Sequence, residues 1–255
     1  MNIISIIPAR MNSSRFPGKP LEKIMGMPMI GHCYKRSIMC KDVSDTFVAT
    51  CDAEIRDYID SIGGKTIMTS SNHERATDRT AEAMIKIEKN LGKKVDIVVM
   101  IQGDEPMITP EMISLSLDPF RKNQNIKVVN LYSDIMTLEE FNDPNEVKVV
   151  IDNNDNALYF SREPIPSRKK GSDIVPMYKQ VCIIPFQRDY LLEFNETKQT
   201  PLEIIESIDM LRTLENRDIV KMVYVNNTTY SVDTKQDLDN VEKLMKKDSL
   251  IKKYT

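Results

Sequence analysis

The sequence predicts an α/β fold: a mostly parallel sheet with helices on both faces and a small inserted subdomain. Three observations carry this. Short apolar runs alternate with amphipathic stretches through the first half of the chain, as in successive βα units. One run, residues 95–101, is nearly continuous in apolar side chains, the pattern of a central strand covered on both sides. The first run, Ile3–Pro8, is followed at once by a basic loop, the position where open α/β sheets bind phosphate groups.

Taken in order, strands are expected at residues 3–8, 46–50 and 95–101, and helices at 29–39, 54–62 and 79–90. The later region offers strands at 127–131, 146–151 and 157–160, with Asp152-Asn153-Asn154-Asp155 as a tight polar turn that makes the last two a hairpin. A basic loop at 168–171, a strand near 180–185, a charged helix near 201–215, a strand at 219–225 and a helix from about Gln236 complete the chain. No internal repeat, low-complexity tract or linker interrupts it, so the expectation is one domain over residues 1–255 with a subdomain at about 127–185.

The chain has 255 residues, 41% of them apolar, enough for a substantial core. The run Ile3–Pro8 has no basic region before it and is broken by Arg10 and Asn12, so it reads as a buried strand, not a signal peptide or membrane span. Cys33, Cys40, Cys51 and Cys182 lack the paired spacing of a zinc site, and reduced thiols in the cytoplasm are expected. A net charge of −3 with 35 basic residues spread along the chain argues against a nucleic-acid surface. With His32 and His73 as the only histidines, His-based catalysis or metal binding has little to work with, and His32 reads as a packing residue. The 16 methionines read as core gap-fillers, and the Lys246, Lys247, Lys252, Lys253 cluster as a solvated helix end.

Two constellations can carry chemistry. In the segment Pro8 to Pro20, Arg10, Arg15 and Lys19 could neutralise a triphosphate of roughly four negative charges, while small residues let backbone approach an anion. It is neither a P-loop nor G-x-G-x-x-G, because Gly18-Lys19 is followed by Pro20. A basic surface loop is the alternative. The second is Gln102-Gly103-Asp104-Glu105-Pro106 at the carboxyl end of the central strand, where a carboxylate over a nucleotide crevice commonly holds Mg²⁺. Asp233, in Tyr230-Ser231-Val232-Asp233-Thr234, is either a second such carboxylate or the N-cap of the helix that follows.

These residues resemble the 3-deoxy-manno-octulosonate (Kdo) cytidylyltransferases, or CMP-Kdo synthetases, nearly end to end. The resemblance is carried by Ile7-Pro8-Ala9-Arg10, Ser14-Arg15-Phe16-Pro17-Gly18-Lys19-Pro20-Leu21, Val48-Ala49-Thr50 and Thr77-Asp78-Arg79. It continues in Gln102 to Ile108, Asn145 to Val150, Ala157 to Arg162, Pro201-Leu202-Glu203 with Glu206 and Leu211-Arg212, and Val232-Asp233-Thr234 with Asp237-Leu238. It implies a nucleotidyltransferase α/β fold, a dimerisation subdomain and hence a homodimer, and a reaction of CTP with a keto-acid sugar that gives CMP-sugar and pyrophosphate. It further implies that Ala9, Arg10, Arg15, Lys19, Thr77 and Gln102 meet CTP, that Asp104 and Asp233 hold Mg²⁺, and that Gln102, Arg162, Glu203 and Glu206 surround the sugar. Lys19, Arg10, Asp104 and Asp233 would be the catalytic set, with no side-chain nucleophile.

The chain departs from the family pattern in clusters. His73-Glu74-Arg75-Ala76-Thr77 stands where the family usually reads His-x-Ser-Gly-Thr, and Gln180-Val181-Cys182-Ile183-Ile184 where it reads His-x-Gly-Ile-Tyr. Cys51 replaces the usual first Asp after Ala-Thr. Arg75 and Gln180 are therefore expected at the sugar, with an altered acceptor such as 8-amino-Kdo or a nonulosonate as an alternative to Kdo. A non-catalytic nucleotide-binding protein on the same fold is the alternative from another class; it would be expected to lose a metal carboxylate or Lys19.

Overall fold

Every residue of β1 (Ile3–Pro8) is buried, as its isoleucine-rich sequence demands. The one polar side chain within it, Ser5, is satisfied by Thr46 at 2.7 Å across the neighbouring strand. The computed structural model describes residues 1–13, 15–171, 175–226 and 229–255; of the motif residues above, Ser14 lies outside them. The chain forms two compact units, Met1–Ser114 with Thr229–Thr255, and Leu115–Thr228.

In the first unit a short hairpin, β2 (Lys23–Ile24) with β3 (Met27–Pro28), leads into α1 (Met29–Ser37). There follow β4 (Asp45–Thr50), α2 (Ala53–Ser61), β5 (Thr66–Met68), α3 (Ala76–Leu91) and β6 (Ile97–Ile101). These strands pair in the order β5-β4-β1-β6, all parallel. β6 is buried along its full length, so both faces of this sheet are covered. The chain leaves this unit through α4 (Pro110–Lys122).

The second unit contains β7 (Val128–Asp134), α5 (Leu138–Asn142), β8 (Lys148–Ile151), β9 (Ala157–Ser161), β10 (Tyr178–Val181), β11 (Ile183–Gln187), α6 (Arg188–Glu196), α7 (Pro201–Glu206), α8 (Met210–Glu215) and β12 (Val220–Tyr224). β10 and β11 pair antiparallel with β7, and β8 antiparallel with β10 and β9. β12 runs parallel to β7. The expected hairpin is present: the Asp152 carboxylate accepts from the amides of Asn154 and Asn156 at 2.7 and 2.8 Å, closing the polar turn.

Two expected elements are each divided. The strand near 180–185 is β10 and β11, interrupted at Cys182. The helix near 201–215 is α7 and α8, separated where Ser207 takes a left-handed φ of 54° and Ile208 N–H turns back to Glu203 O. The subdomain expected at 127–185 extends further, because β12 closes onto β7 and brings the later segment into the same unit.

The chain returns to the first unit in α9 (Lys235–Met245). Leu238, Val241 and Met245 on this helix pack with Ile24, Met29, Val232 and Ile251. Arg36, fully buried, ties the C-terminal segment down: it donates to Tyr254 Oη at 2.8 Å, to Ile108 O at 3.1 Å and to the Asp248 carboxylate. His32 is buried and satisfied by Tyr254 Oη at 2.9 Å and Ile24 O at 2.8 Å. Among the described residues no helix is long and apolar enough to cross a membrane.

Candidate active site

The loop after β1 is shaped before it meets any ligand. Ala9 N–H donates to Ala49 O at 2.9 Å and Met11 N–H to the Asp52 carboxylate at 2.7 Å, which fastens the loop to the end of β4. Gly18 adopts a φ of 76°, a left-handed turn that costs glycine nothing, and Pro20 starts the short turn that presents Lys19. After β6, Gly103 fits a tight space: a Cβ there would lie 3.1 Å from Pro8 O and 3.0 Å from the end of the Ile30 side chain, so the neighbours would have to give by a few tenths of an ångström. Asp104 therefore sits directly beside the first loop.

Lys19 Nζ lies 2.7 Å from Asp104 Oδ2, 3.1 Å from Asp233 Oδ1 and 2.9 Å from Val232 O. Burial lowers the lysine pKa, but the charges of Asp104 and Asp233 outweigh it and hold the group above its ordinary value, so it is an ammonium at neutral pH. Arg15 pairs with the same Asp233 oxygen at 2.8 Å.

The two readings of Asp233 are separated here. Thr234, not Asp233, caps α9: its side chain accepts from Asp237 N–H, and Asp237 accepts in return from Thr234 N–H. Asp237 also accepts from Asp233 N–H at 3.1 Å, which leaves the Asp233 carboxylate turned to Lys19.

These groups line a cleft of about 280 Å³ together with Ala9, Arg10, Glu74, Arg75, Arg79, Gln102 and Gly103. Its cations, Arg10, Arg15, Lys19, Arg75 and Arg79, outnumber its carboxylates, Glu74, Asp104 and Asp233, so it suits a polyanion. Arg10 is exposed and reaches His73 O at 3.4 Å. That carbonyl belongs to a loop held by Glu82, which accepts from Ser70 N–H at 2.9 Å, from Lys86 Nζ at 2.7 Å and from His73.

Arg79 lies outside the expected site residues although it belongs to the Thr77-Asp78-Arg79 motif. It is 2% exposed, donates through Nη1 to Thr69 Oγ1 and Ser70 O, and its Nη2 is buried with no hydrogen-bond partner. A buried guanidinium nitrogen without an acceptor at a cleft wall is suited to a ligand oxygen. The signal in the sequence was spacing: Arg79 lies one turn into α3, behind Arg75 and Ala76, which also line the cleft. Thr77, the expected nucleotide contact, is instead fully buried in the first turn of α3 and outside the cleft lining.

Asp104 and Asp233 fit a magnesium ion. Asp104 Oδ1 is buried with no hydrogen-bond partner, and an ammonium already bridges the two carboxylates. Among the described residues no cluster of three His, Cys, Asp or Glu forms a protein-only metal cage. Mg²⁺ requires none, since it characteristically takes one or two carboxylates together with substrate phosphates and water.

Arg162, Gln180, Glu203 and Glu206, expected at the sugar, belong to the second unit. Glu203 is a correction. It is fully buried, both its oxygens accept from Arg212, and it also accepts from Thr200 N–H at the start of α7, so it holds the fold together. Glu206 accepts from Ser161 Oγ at 2.8 Å and from Arg162 N–H at 2.9 Å, while Arg162 Nε donates to Glu206 O at 2.7 Å. Gln180 donates to the buried Asn130. Ile184, where the family has a phenol, is 3% exposed and part of the core.

The Cytidylyltransferase family model matches residues 4–227. The 3-deoxy-manno-octulosonate cytidylyltransferase of Trichlorobacter lovleyi is 43% identical, over 96% of this chain and 99% of the relative. That of Fusobacterium nucleatum subsp. nucleatum is 38% identical over 98% and 99%. The solved structure of a CMP:2-keto-3-deoxy-manno-octonic acid synthetase complexed with CTP superposes with a TM-score of 0.88 at 36% identity, covering 96% of this chain and 99% of that one. A 4-diphosphocytidyl-2C-methyl-D-erythritol synthase from Anaerococcus prevotii, with a TM-score of 0.63 and 16% identity, shares the fold. With a cation-lined cleft over the carboxyl ends of β1 and β6 and this likeness along nearly its whole length, the chain belongs to the cytidylyltransferase family, among the 3-deoxy-manno-octulosonate cytidylyltransferases.

Proposed function

We propose that this enzyme joins CMP from CTP to the anomeric hydroxyl of Kdo and releases pyrophosphate. The observation that carries this reading is the cluster of Lys19, Asp104 and Asp233 in a cleft whose other cations suit a triphosphate. The attacking hydroxyl displaces pyrophosphate in line at the α-phosphorus, so catalysis is mostly positioning and charge neutralisation. Arg10, Arg15, Lys19 and Arg79 bind and orient the triphosphate, and Lys19 and Arg10 stabilise charge that develops on it. Asp104 and Asp233 would hold Mg²⁺. When bound, that ion supplies further neutralisation of phosphoryl oxygens and lowers the pKa of a hydroxyl beside it. The Gly103 backbone and the half-buried Asp237 keep the two carboxylates in place without taking part.

Arg75 supports a second reading, in which the acceptor is a modified Kdo such as its 8-amino analogue or a nonulosonate. A long cation in the cleft replaces a small hydroxyl residue, and a pocket that hydrogen-bonds one substituent discriminates against analogues lacking it. A homodimer acting in the cytoplasm completes the proposal. The test is incubation with CTP, Mg²⁺ and a panel of keto-acid sugars while pyrophosphate release is followed. Release with none of them sinks the reading; a higher specificity constant for plain Kdo than for every analogue removes the second one.

A further inference from the structure

Lys19 occupies the place that a cation shared by Asp104 and Asp233 would take. All three ammonium protons are used, on Asp104 Oδ2, Asp233 Oδ1 and Val232 O at 2.7, 3.1 and 2.9 Å. Two carboxylates converging on one point repel unless a positive charge lies between them. Here the protein supplies that charge itself, and Arg15 adds a second against Asp233. A divalent ion seated between Asp104 Oδ2 and Asp233 Oδ1 would stand at the point Nζ now occupies and must displace it; a second cation can reach those oxygens only from the side, as Arg15 does on Asp233. The lysine has a flexible four-carbon stem, so it can leave without moving the backbone. What draws it away has to be a stronger anion, and the cleft is built for one: its remaining cations, Arg10, Arg75 and Arg79, face the same space.

We propose that Lys19 is a resident counter-cation that makes divalent metal binding depend on nucleotide: it closes the Asp104–Asp233 pair to metal in the empty cleft and releases it when a triphosphate takes over the ammonium. The inference rests on the nucleotide and metal reading above. It gives Lys19 a role that a phosphate-binding lysine alone would not have. Metal and CTP then bind with positive coupling transmitted by one side chain, and the empty enzyme does not load divalent ions prematurely.

The experiment measures Mn²⁺ binding to the full-length protein without nucleotide, by calorimetry and by electron paramagnetic resonance of the free ion. Wild type and Lys19→Arg should bind weakly. Lys19→Met, which keeps the bulk of the stem and removes the charge, should bind at least about tenfold more tightly, within the usual range of coupling between sites. The gain should vanish in the Lys19→Met, Asp104→Asn double variant. Lys19→Gln serves in the same way if Lys19→Met does not fold. Mn²⁺ binding by a folded Lys19→Met or Lys19→Gln that is equal to or weaker than that of wild type overturns the proposal, as does a gain that survives loss of Asp104. Turnover separates the two levels: a wild-type protein that makes CMP-Kdo, with no gain in the variant, sinks only the coupling, whereas absence of pyrophosphate release with every sugar sinks the functional reading.

Discussion

Arg212 closes on Glu203 with two parallel hydrogen bonds, Nε to Oε2 at 2.8 Å and Nη2 to Oε1 at 2.6 Å, and both side chains are buried. Removing one partner of such a pair leaves the other charge buried and unpaired. Glu203→Ala should therefore destabilise the protein by about 3–5 kcal/mol, read from denaturant unfolding. Its residual activity should follow the folded fraction. A variant of normal stability with altered sugar preference would restore Glu203 to the substrate.

Asp104→Asn and Asp233→Asn keep side-chain size and remove the charge that a metal needs. Each should lower turnover at least about a hundredfold, about 2.7 kcal/mol of transition-state stabilisation, with an unchanged circular dichroism spectrum. Either variant retaining more than about a tenth of wild-type turnover at saturating Mg²⁺, a loss below about 1.4 kcal/mol, is not missing a ligand.

Arg79 presents a buried, unpartnered Nη2 to the cleft. Arg79→Lys keeps a positive charge but loses the planar fork that also holds Thr69 and Ser70. The KM for CTP should rise about tenfold, about 1.4 kcal/mol of binding, while the KM for the sugar changes little. Steady-state kinetics with each substrate varied in turn measures both. Equal increases would place Arg79 in the scaffold and not at the nucleotide.

Glu82 holds the loop that supplies His73 O to Arg10, and its pKa bears on stability. Burial raises that pKa, but hydrogen bonds from Lys86, Ser70 N–H and His73 outweigh it and bring the folded value from 4.5 to about 2. A carboxyl with a depressed folded pKa adds stability that is present in full above the unfolded value and is lost as pH falls through the folded one. The loss should run from about 4.5 down to about 2. Glu82→Gln should be less stable than wild type at neutral pH, and the difference should shrink across that window. Unfolding free energies measured at several pH values check it; a constant difference would show that the Glu82 charge contributes nothing.

Most strands and helices of the first unit are local information, though the short β2, β3 and β5 are not among the expected elements. Apolar runs such as Ile3–Pro8 and the amphipathic spacing of α1, α2 and α3 come from periodicity within a few residues, so their positions were legible with small shifts at the ends. The phosphate-facing loop and Asp104 were legible too, because a strand's carboxyl end is fixed once the strand is known. Contacts between distant segments were not. Whether Asp233 caps a helix or meets Lys19 depends on a lysine 214 positions away, and the choice is made by Thr234 and Asp237, which take the cap for themselves. Glu203 reads as a polar motif residue in sequence, yet Arg212 buries it, since a carboxylate with a bidentate guanidinium partner no longer needs water. The break at Ser207 and the orphaned nitrogen of Arg79 have the same origin: both are set by what the fold brings against a side chain or a turn, and the spacing of Arg79 behind Arg75 and Ala76 places it at the cleft without showing which of its nitrogens is left without a partner.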